Sequence, residues 1–341
     1  MENLVNSKKN FLIIGSGFKI SLENTYIRAF KNLGYKKVDF LFLDKNILLN
    51  FLNKLNFSII SQIYYFICKF ITLNHLKKKR YDYIIIFKGL QFDYKFLNKC
   101  KNLNLNTKWI NIYTDNPFNL KSKSCSNYNI LESIKFYDYF CVSFYKTLNK
   151  RLHNLKAKKI IFLPFGYDQL LHGRKKLKKE INNNNINFVG AYDSHREKIL
   201  NNLNYKINVY GPGWKKSGYN NKNIKYNSKI ITGNHLKKII SNDALSLNIL
   251  REQDKNSHNM RTFEIPAMGG LLLTNRTKEQ ISFFRENKDC FMYKDTQELK
   301  KKIKFIINNK KRAERVRKNG FFKSKKHSYE NRLKYLLSII K

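Results

Sequence analysis

NILREQDKNSHNMRTFEIPAMGGLLLT, residues 248–274, reads as strand, loop, short helix, Gly-Gly and strand. Ala244–Ile249 is one brief apolar run and Gly270–Thr274 is another. The polar loop between them carries Arg251 and Arg261, and the helical segment carries Glu264 near its start. Free N–H groups at a helix N-terminus attract anions. Flanking arginines bind a phosphate through two bonds at once. A carboxylate repels a diphosphate, so Glu264 calls for a ligand with hydroxyls beside its phosphates. A nucleotide ribose has such a diol. Gly269 and Gly270 end the helix and allow a close backbone approach to a ligand. Read without context, the same residues describe a solvated loop before an ordinary helix.

The alternation extends in both directions. Residues 10–15, NFLIIG, suit a central parallel strand ending at Gly15-Ser16-Gly17. Ser21 offers an N-cap with Glu23 in the first turn. Leu22, Tyr26, Ala29, Phe30 and Leu33 form one helical face, and Gly34 stops the helix. Val38–Leu43 is a second strand, with Asp44 at its end. Further strands are expected at Tyr81–Phe87, Lys108–Tyr113, Asp138–Ser143 and Lys159–Leu163, with a helix from about Tyr145 to Leu155. Gln169–Asn185, rich in Lys and Asn, reads as a linker. Beyond it come strands at Ile186–Val189 and Ile207–Tyr210, with helices from about Ser194 to Leu203 and from His235 to Ser241. The expected layout is residues 1–168, a linker at 169–185, residues 186–326, and a last helix at 327–341. Strands alternating with helices form parallel sheets covered on both faces, which bind ligands at the carboxyl ends of their strands. The loops at 15–18, 88–91 (with Lys88) and 114–118 (with Asp115) are therefore the ones to watch. Gly15-Ser16-Gly17 lacks the third glycine of a dinucleotide fingerprint, because Ile20 stands there.

Net charge is +43, from 67 Lys and Arg against 24 Asp and Glu. Such an excess points to nucleic acid or an anionic surface. Here the lysines are scattered among many Asn, Ile, Phe and Tyr, as an A/T-rich coding sequence would place them. No specific nucleic acid is expected; peripheral contact with an anionic membrane is compatible with the charge. Five separated cysteines, without CxxC, read as reduced structural thiols of a cytoplasmic protein. The N-terminal apolar run is too short for a signal peptide. Phe57–Leu73 is the most apolar stretch, and Gln62 and Lys69 interrupt it. It reads as a buried or half-buried helix, with an interfacial helix as the alternative. No Asp-x-Asp pair occurs, so a metal-free site built from cations and helix N-termini is expected.

SHNMRTFEIPAMGGLLLTNRTKEQISFFRENKDCFMYKDTQELKKKI (257–303) resembles the C-terminal half of CgeB-like glycosyltransferases. The resemblance continues through TKWINIYTDNPF (107–118), residues 137–168, INFVGAYDSHRE (186–197) and INVYGPGW (207–214). It implies the GT-B fold: α/β, two Rossmann-like domains facing a cleft, with the last helix crossing back to the first. It also implies transfer of a sugar from a nucleoside diphosphate to a glycan, lipid or protein acceptor, with no cofactor beyond that co-substrate. By the same resemblance Glu264 binds the donor ribose, and Arg196, Arg251 and Arg261 compete to grip the diphosphate. Ser257, His258 and Asn259 are candidate phosphate donors, and Gly190, Gly211 and Trp214 border the nucleotide. The relatives often carry a second Glu eight residues before the first, where this chain has Asn256. Asp115 is the best-placed general base, or an acceptor-positioning residue if the outcome is retaining. Two other classes remain open: a basic nucleic-acid-binding protein, and a GT-B-shaped nucleotide-binding module without catalysis.

Overall fold

The computed structural model describes residues 9–18, 20–43, 58–121, 125–143, 145–177, 181, 183–216 and 221–340. Asp44, Phe57 and part of Gln169–Asn185 lie outside them. The chain divides into two compact units, Met1–Pro164 with Arg332–Lys341, and Phe165–Asn331.

The first unit is built on β1 (Phe11–Gly15), α1 (Leu22–Asn32), β2 (Val38–Phe42), α2 (Ser58–Lys78), β3 (Tyr83–Phe87) and α3 (Tyr94–Leu103). It continues with β4 (Lys108–Tyr113), α4 (Tyr128–Ser133), β5 (Tyr139–Val142), α5 (Tyr145–Asn154) and β6 (Ile160–Phe162). The sheet order is β2-β1-β3-β4-β5-β6, parallel throughout. β1 and β3 are wholly buried, as continuous apolar strands covered by helices on both faces must be. Ser21 caps α1 by accepting the Asn24 N–H, and Gly34 takes a φ of 84° where that helix stops.

The second unit repeats the plan with β7 (Ile186–Val189), α6 (Ser194–Asn201), β8 (Ile207–Tyr210), β9 (Ile224–Asn227), α7 (Gly233–Asn242) and β10 (Leu245–Asn248). It goes on through α8 (Arg261–Ala267), β11 (Leu272–Asn275), α9 (Lys278–Phe283), β12 (Phe291–Tyr293), α10 (Thr296–Asn308) and α11 (Lys310–Ser324). The order is β12-β11-β10-β7-β8-β9, again all parallel. The last helix, α12 (Tyr329–Ile339), starts behind Ser328, whose Oγ accepts the Asn331 N–H at 3.3 Å.

The division falls at Pro164, earlier than the Lys- and Asn-rich composition of Gln169–Asn185 placed it. The reason is local. Asp168 is buried and accepts the N–H groups of Leu170 and Leu171, and Arg174 donates to Ser241 Oγ and the Lys237 carbonyl. These residues fold onto the second unit rather than bridging to it.

One charged network fixes the end of β11. Arg276 donates to both oxygens of Glu286, at 2.7 and 2.6 Å, and to both of Glu298, at 2.8 and 2.5 Å. Those bonds hold Glu298 down at about 2, and Glu286 also below its ordinary value. Both folded pKa values are depressed, so this contribution is complete above the ordinary glutamate value of 4.5 and is lost as pH falls toward about 2. Thermal melts should show a lower midpoint at pH 3 than at pH 7, and Arg276→Met should flatten that dependence. An unchanged slope in the variant would remove the network from the explanation.

Candidate functional site

In the second sheet β7 and β10 are neighbours, yet the chain leaves them in opposite directions, toward β8 and β9 or toward β11 and β12. A crevice opens outside the carboxyl ends of such a strand pair. Arg196 lies there, in the first turn of α6 behind the N-cap Asp193. Its Nε donates to the Ile249 carbonyl at 2.9 Å and its Nη1 to the Ala191 carbonyl at 3.1 Å. It thus ties the loop after β7 to the chain just past β10. Arg196 is only 7% exposed, and among the described residues no carboxylate forms an ion pair with it. Burial, then the neighbouring Arg251 charge, pushes its pKa down to about 10, with Asp193 and Asp254 acting the other way. It remains a cation at neutral pH. A buried charge without a counter-ion costs several kcal/mol, and two carbonyl dipoles do not neutralise it.

The surrounding backbone is shaped to let this happen. A Cβ on Gly190 would lie 2.9 Å from the Phe188 ring and 3.2 Å from Arg196 Nη1. Gly211 has a φ of 141°, and a Cβ there would strike the Gly190 carbonyl at 2.1 Å. Trp214 donates its indole N–H to that same carbonyl at 2.9 Å and stacks on Tyr226, so it is a buried support of the loop. Arg251 opens onto a hollow of about 640 Å³ lined also by Tyr192, Asp193, Glu252 and Lys255.

Glu264 is 4% exposed and paired with Arg261, whose Nη1 donates to Oε2. Arg261 Nε donates to the Val189 carbonyl at 3.1 Å, which brings the pair to the end of β7. The sequence expected the carboxylate and the guanidinium to serve different parts of a ligand; here they also serve each other. His172 stands on the far side, its Nε2 3.6 Å from Glu264 Oε1. Its Nδ1 accepts the Asp168 N–H at 3.3 Å, so the ring proton sits on Nε2, facing the carboxylate. Burial lowers the His172 pKa and keeps the ring neutral. Sequence reasoning missed His172, since its only signal was one His in a Lys-rich stretch.

Ser257, His258 and Asn259 have other work. His258 is fully buried; Nε2 accepts the Phe165 N–H at 3.1 Å, which leaves the proton on Nδ1 for Glu279 at 2.7 Å. Both ring nitrogens are used, so the ring has no donor left for phosphate. Ser257 Oγ donates to the same Glu279 oxygen at 2.6 Å. Asn259 exchanges amide hydrogen bonds with Asn248, and its Oδ1 accepts the Thr262 N–H. Gly269 and Gly270 differ from expectation too. A Cβ on Gly270 would lie 2.6 Å from Ile240 Cγ2, and one on Gly269 3.0 Å from Leu177. They allow α8 to close against its neighbours, a packing role that spacing cannot distinguish from ligand approach.

In the first unit, Gly15 makes room for Glu23, whose Oε1 accepts the Ser16 N–H at 2.9 Å. That carboxylate occupies the N-terminal end of α1, where a dinucleotide fold would seat its pyrophosphate, and Ser16 has spent its amide. Gly17 follows in the same turn. Lys88, with a φ of 55°, pairs its Nζ with Asp115 Oδ2 at 2.6 Å. The two loops after β3 and β4 therefore meet through a Lys–Asp pair. Among the described residues, no three His, Cys, Asp or Glu side chains converge on a point a metal ion could take. All five cysteines are free and buried.

Residues 195–338 match the family described as Glycosyl transferase-like. The fold is that of GT-B glycosyltransferases. Sucrose-phosphate synthase from Thermosynechococcus elongatus superposes with a TM-score of 0.68 at 12% identity, covering 97% of this chain and 98% of that one. Anabaena HepE in complex with UDP and glucose superposes with a TM-score of 0.67 at 11% identity, covering 97% and 100%. TarM gives a TM-score of 0.56 at 13% identity over 80% of this chain, which spans 58% of TarM's length. Comparison with curated proteins finds no match.

Proposed function

We propose that this protein is a glycosyltransferase that moves a sugar from a nucleoside diphosphate to a hydroxyl acceptor. The observation that carries the reading is Arg196, a buried cation at a strand switch point with no carboxylate partner among the described residues. A diphosphate supplies the missing charge, and Arg251 beside it adds a second guanidinium. Glu264, held by Arg261, takes the ribose diol. The C1–oxygen bond of the donor breaks as the acceptor oxygen bonds to C1. The electron pair leaves with the diphosphate, which the arginines stabilise. The solved complexes of HepE with UDP and glucose, at this fold, support the donor class.

The finer reading is a CgeB-like, metal-independent enzyme with a retaining outcome, acting at the inner face of the membrane on a polysaccharide precursor, lipid or protein. In that mechanism the acceptor proton passes to the departing phosphate, and Asp115 positions the acceptor. Asn256, exposed where the resembled family often has Glu, offers the sugar an amide instead of a carboxylate. Asp115→Asn should lower transfer about tenfold without weakening donor binding. A loss of about 10³-fold would identify Asp115 as the general base of an inverting enzyme. The anomeric configuration of the product, read by NMR, distinguishes the two outcomes independently.

A thermal-shift series with uridine, guanosine, adenosine and thymidine diphosphates, with and without sugars, tests the core reading. At least one should raise the melting temperature, because a ligand that binds only the native state stabilises it. A flat panel would refute the donor site, and retention on DNA with a steep salt dependence would replace it.

A further inference from the structure

Among the described helices, α2 exposes three large apolar side chains where others expose at most one. Its inner face is buried in the first unit's core through Tyr64, Cys68, Thr72 and Leu76, spaced four apart. Its outer face should then be polar. Instead Ile63, Phe66 and Phe70 stand out at 47%, 70% and 59% exposure. Spacings of three and four residues put them on one stripe, and Lys77, seven residues past Phe70, continues it about two turns further on. Two exposed phenylalanines on one helical face mark an interaction surface rather than ordinary surface variation.

The charge around that stripe identifies what covers it. Ser58–Lys78 contains no Asp or Glu. Lys77, Lys78, Lys79 and Arg80 are all exposed at the end of the helix. Lys79 pairs with Asp39, and among the described residues no carboxylate pairs with Lys77, Lys78 or Arg80. A second copy of this chain would bring another +43 against the same face. Among the described residues no helix is long and apolar enough to cross a membrane. An apolar stripe with a basic end therefore fits a helix lying in the headgroup region.

We propose that the outer face of α2 docks on an anionic lipid bilayer, with Ile63, Phe66 and Phe70 entering the headgroup–acyl boundary and Lys77, Lys78 and Arg80 against lipid phosphates. The surface is independent of the donor site and deepens the acceptor reading by placing the enzyme on the surface where lipid-linked acceptors lie. Co-sedimentation of the full chain with vesicles tests it. Binding is expected to vesicles of mixed phosphatidylcholine and phosphatidylglycerol, and to be much weaker to phosphatidylcholine alone. The triple variant Ile63→Gln, Phe66→Gln, Phe70→Gln should lose about tenfold or more in partitioning. It should keep its melting temperature and its nucleotide-induced shift, since all three side chains face solvent. Equal vesicle binding by the triple variant would overturn the proposal in favour of diffuse charge. Concentration-dependent self-association abolished by the same changes would overturn it in favour of a second copy. Absence of nucleotide binding in the unaltered chain would sink the glycosyl-transfer reading and leave the vesicle result standing.

Discussion

Arg196→Met is expected to lower transfer by about 10²- to 10³-fold, the loss seen when one preorganised donor to a developing negative charge is removed. The variant should keep its fold. Methionine is apolar and nearly as long, and it removes a buried cation that, among the described residues, no carboxylate pairs with. Exchanging a buried ion for a packed apolar side chain is often neutral or stabilising. Two hydrogen bonds to the Ile249 and Ala191 carbonyls are lost, each worth about 1 kcal/mol. The melting temperature of the ligand-free variant should therefore stay within a few degrees, while its response to nucleoside diphosphates disappears. A residue that merely knits two loops together would give the reverse: a large fall in melting temperature and undiminished nucleotide binding. Arg196→Lys sharpens the test. Lysine keeps the charge but cannot reach both carbonyls and a phosphate in one fork, so partial binding with poor turnover is expected.

Much of this arrangement is legible in the amino-acid sequence. Most strands of both units stand out in the sequence as apolar runs, because strands buried on both faces need no alternation. β9 and β12 were not visible. Ile224–Asn227 reads IKYN, an edge strand with polar alternation, and Phe291–Tyr293 is three residues long. The cap at Ser21 is legible because side-chain oxygens at N-caps act locally. What could not be read was which of several similar residues reached the crevice. Arg196, Arg251 and Arg261 look equivalent in sequence; burial and partners separate them, since among the described residues only Arg261 is spent on a glutamate. His258 looked like a ligand donor until the Phe165 amide and Glu279 claimed both its nitrogens. Those partners lie 93 and 21 residues away, at separations that spacing rules do not cover.

Removing the Glu264 carboxylate should be the second large loss, and its size should depend on the nucleotide offered. With a ribonucleotide donor, Glu264→Gln is expected to weaken binding about 10²-fold, because two charge-assisted hydrogen bonds from the diol become weaker neutral ones and Arg261 loses its counter-charge. With a donor lacking the ribose hydroxyls, the unaltered protein should bind poorly and the variant should bind no worse. A buried carboxylate left facing a ribose without hydroxyls is itself penalised, and the amide removes that penalty. The two losses should therefore be strongly non-additive, with a coupling of about 2 kcal/mol in the cycle of residue against hydroxyl. His172 supplies an internal check. Its neutral Nε2–H faces the same carboxylate at 3.6 Å, so His172→Phe should alter the affinity for ribonucleotides more than for their deoxy counterparts. If Glu264 only anchors Arg261, both nucleotides suffer equally in the variant and the cycle closes with no coupling; the diol would then lie elsewhere.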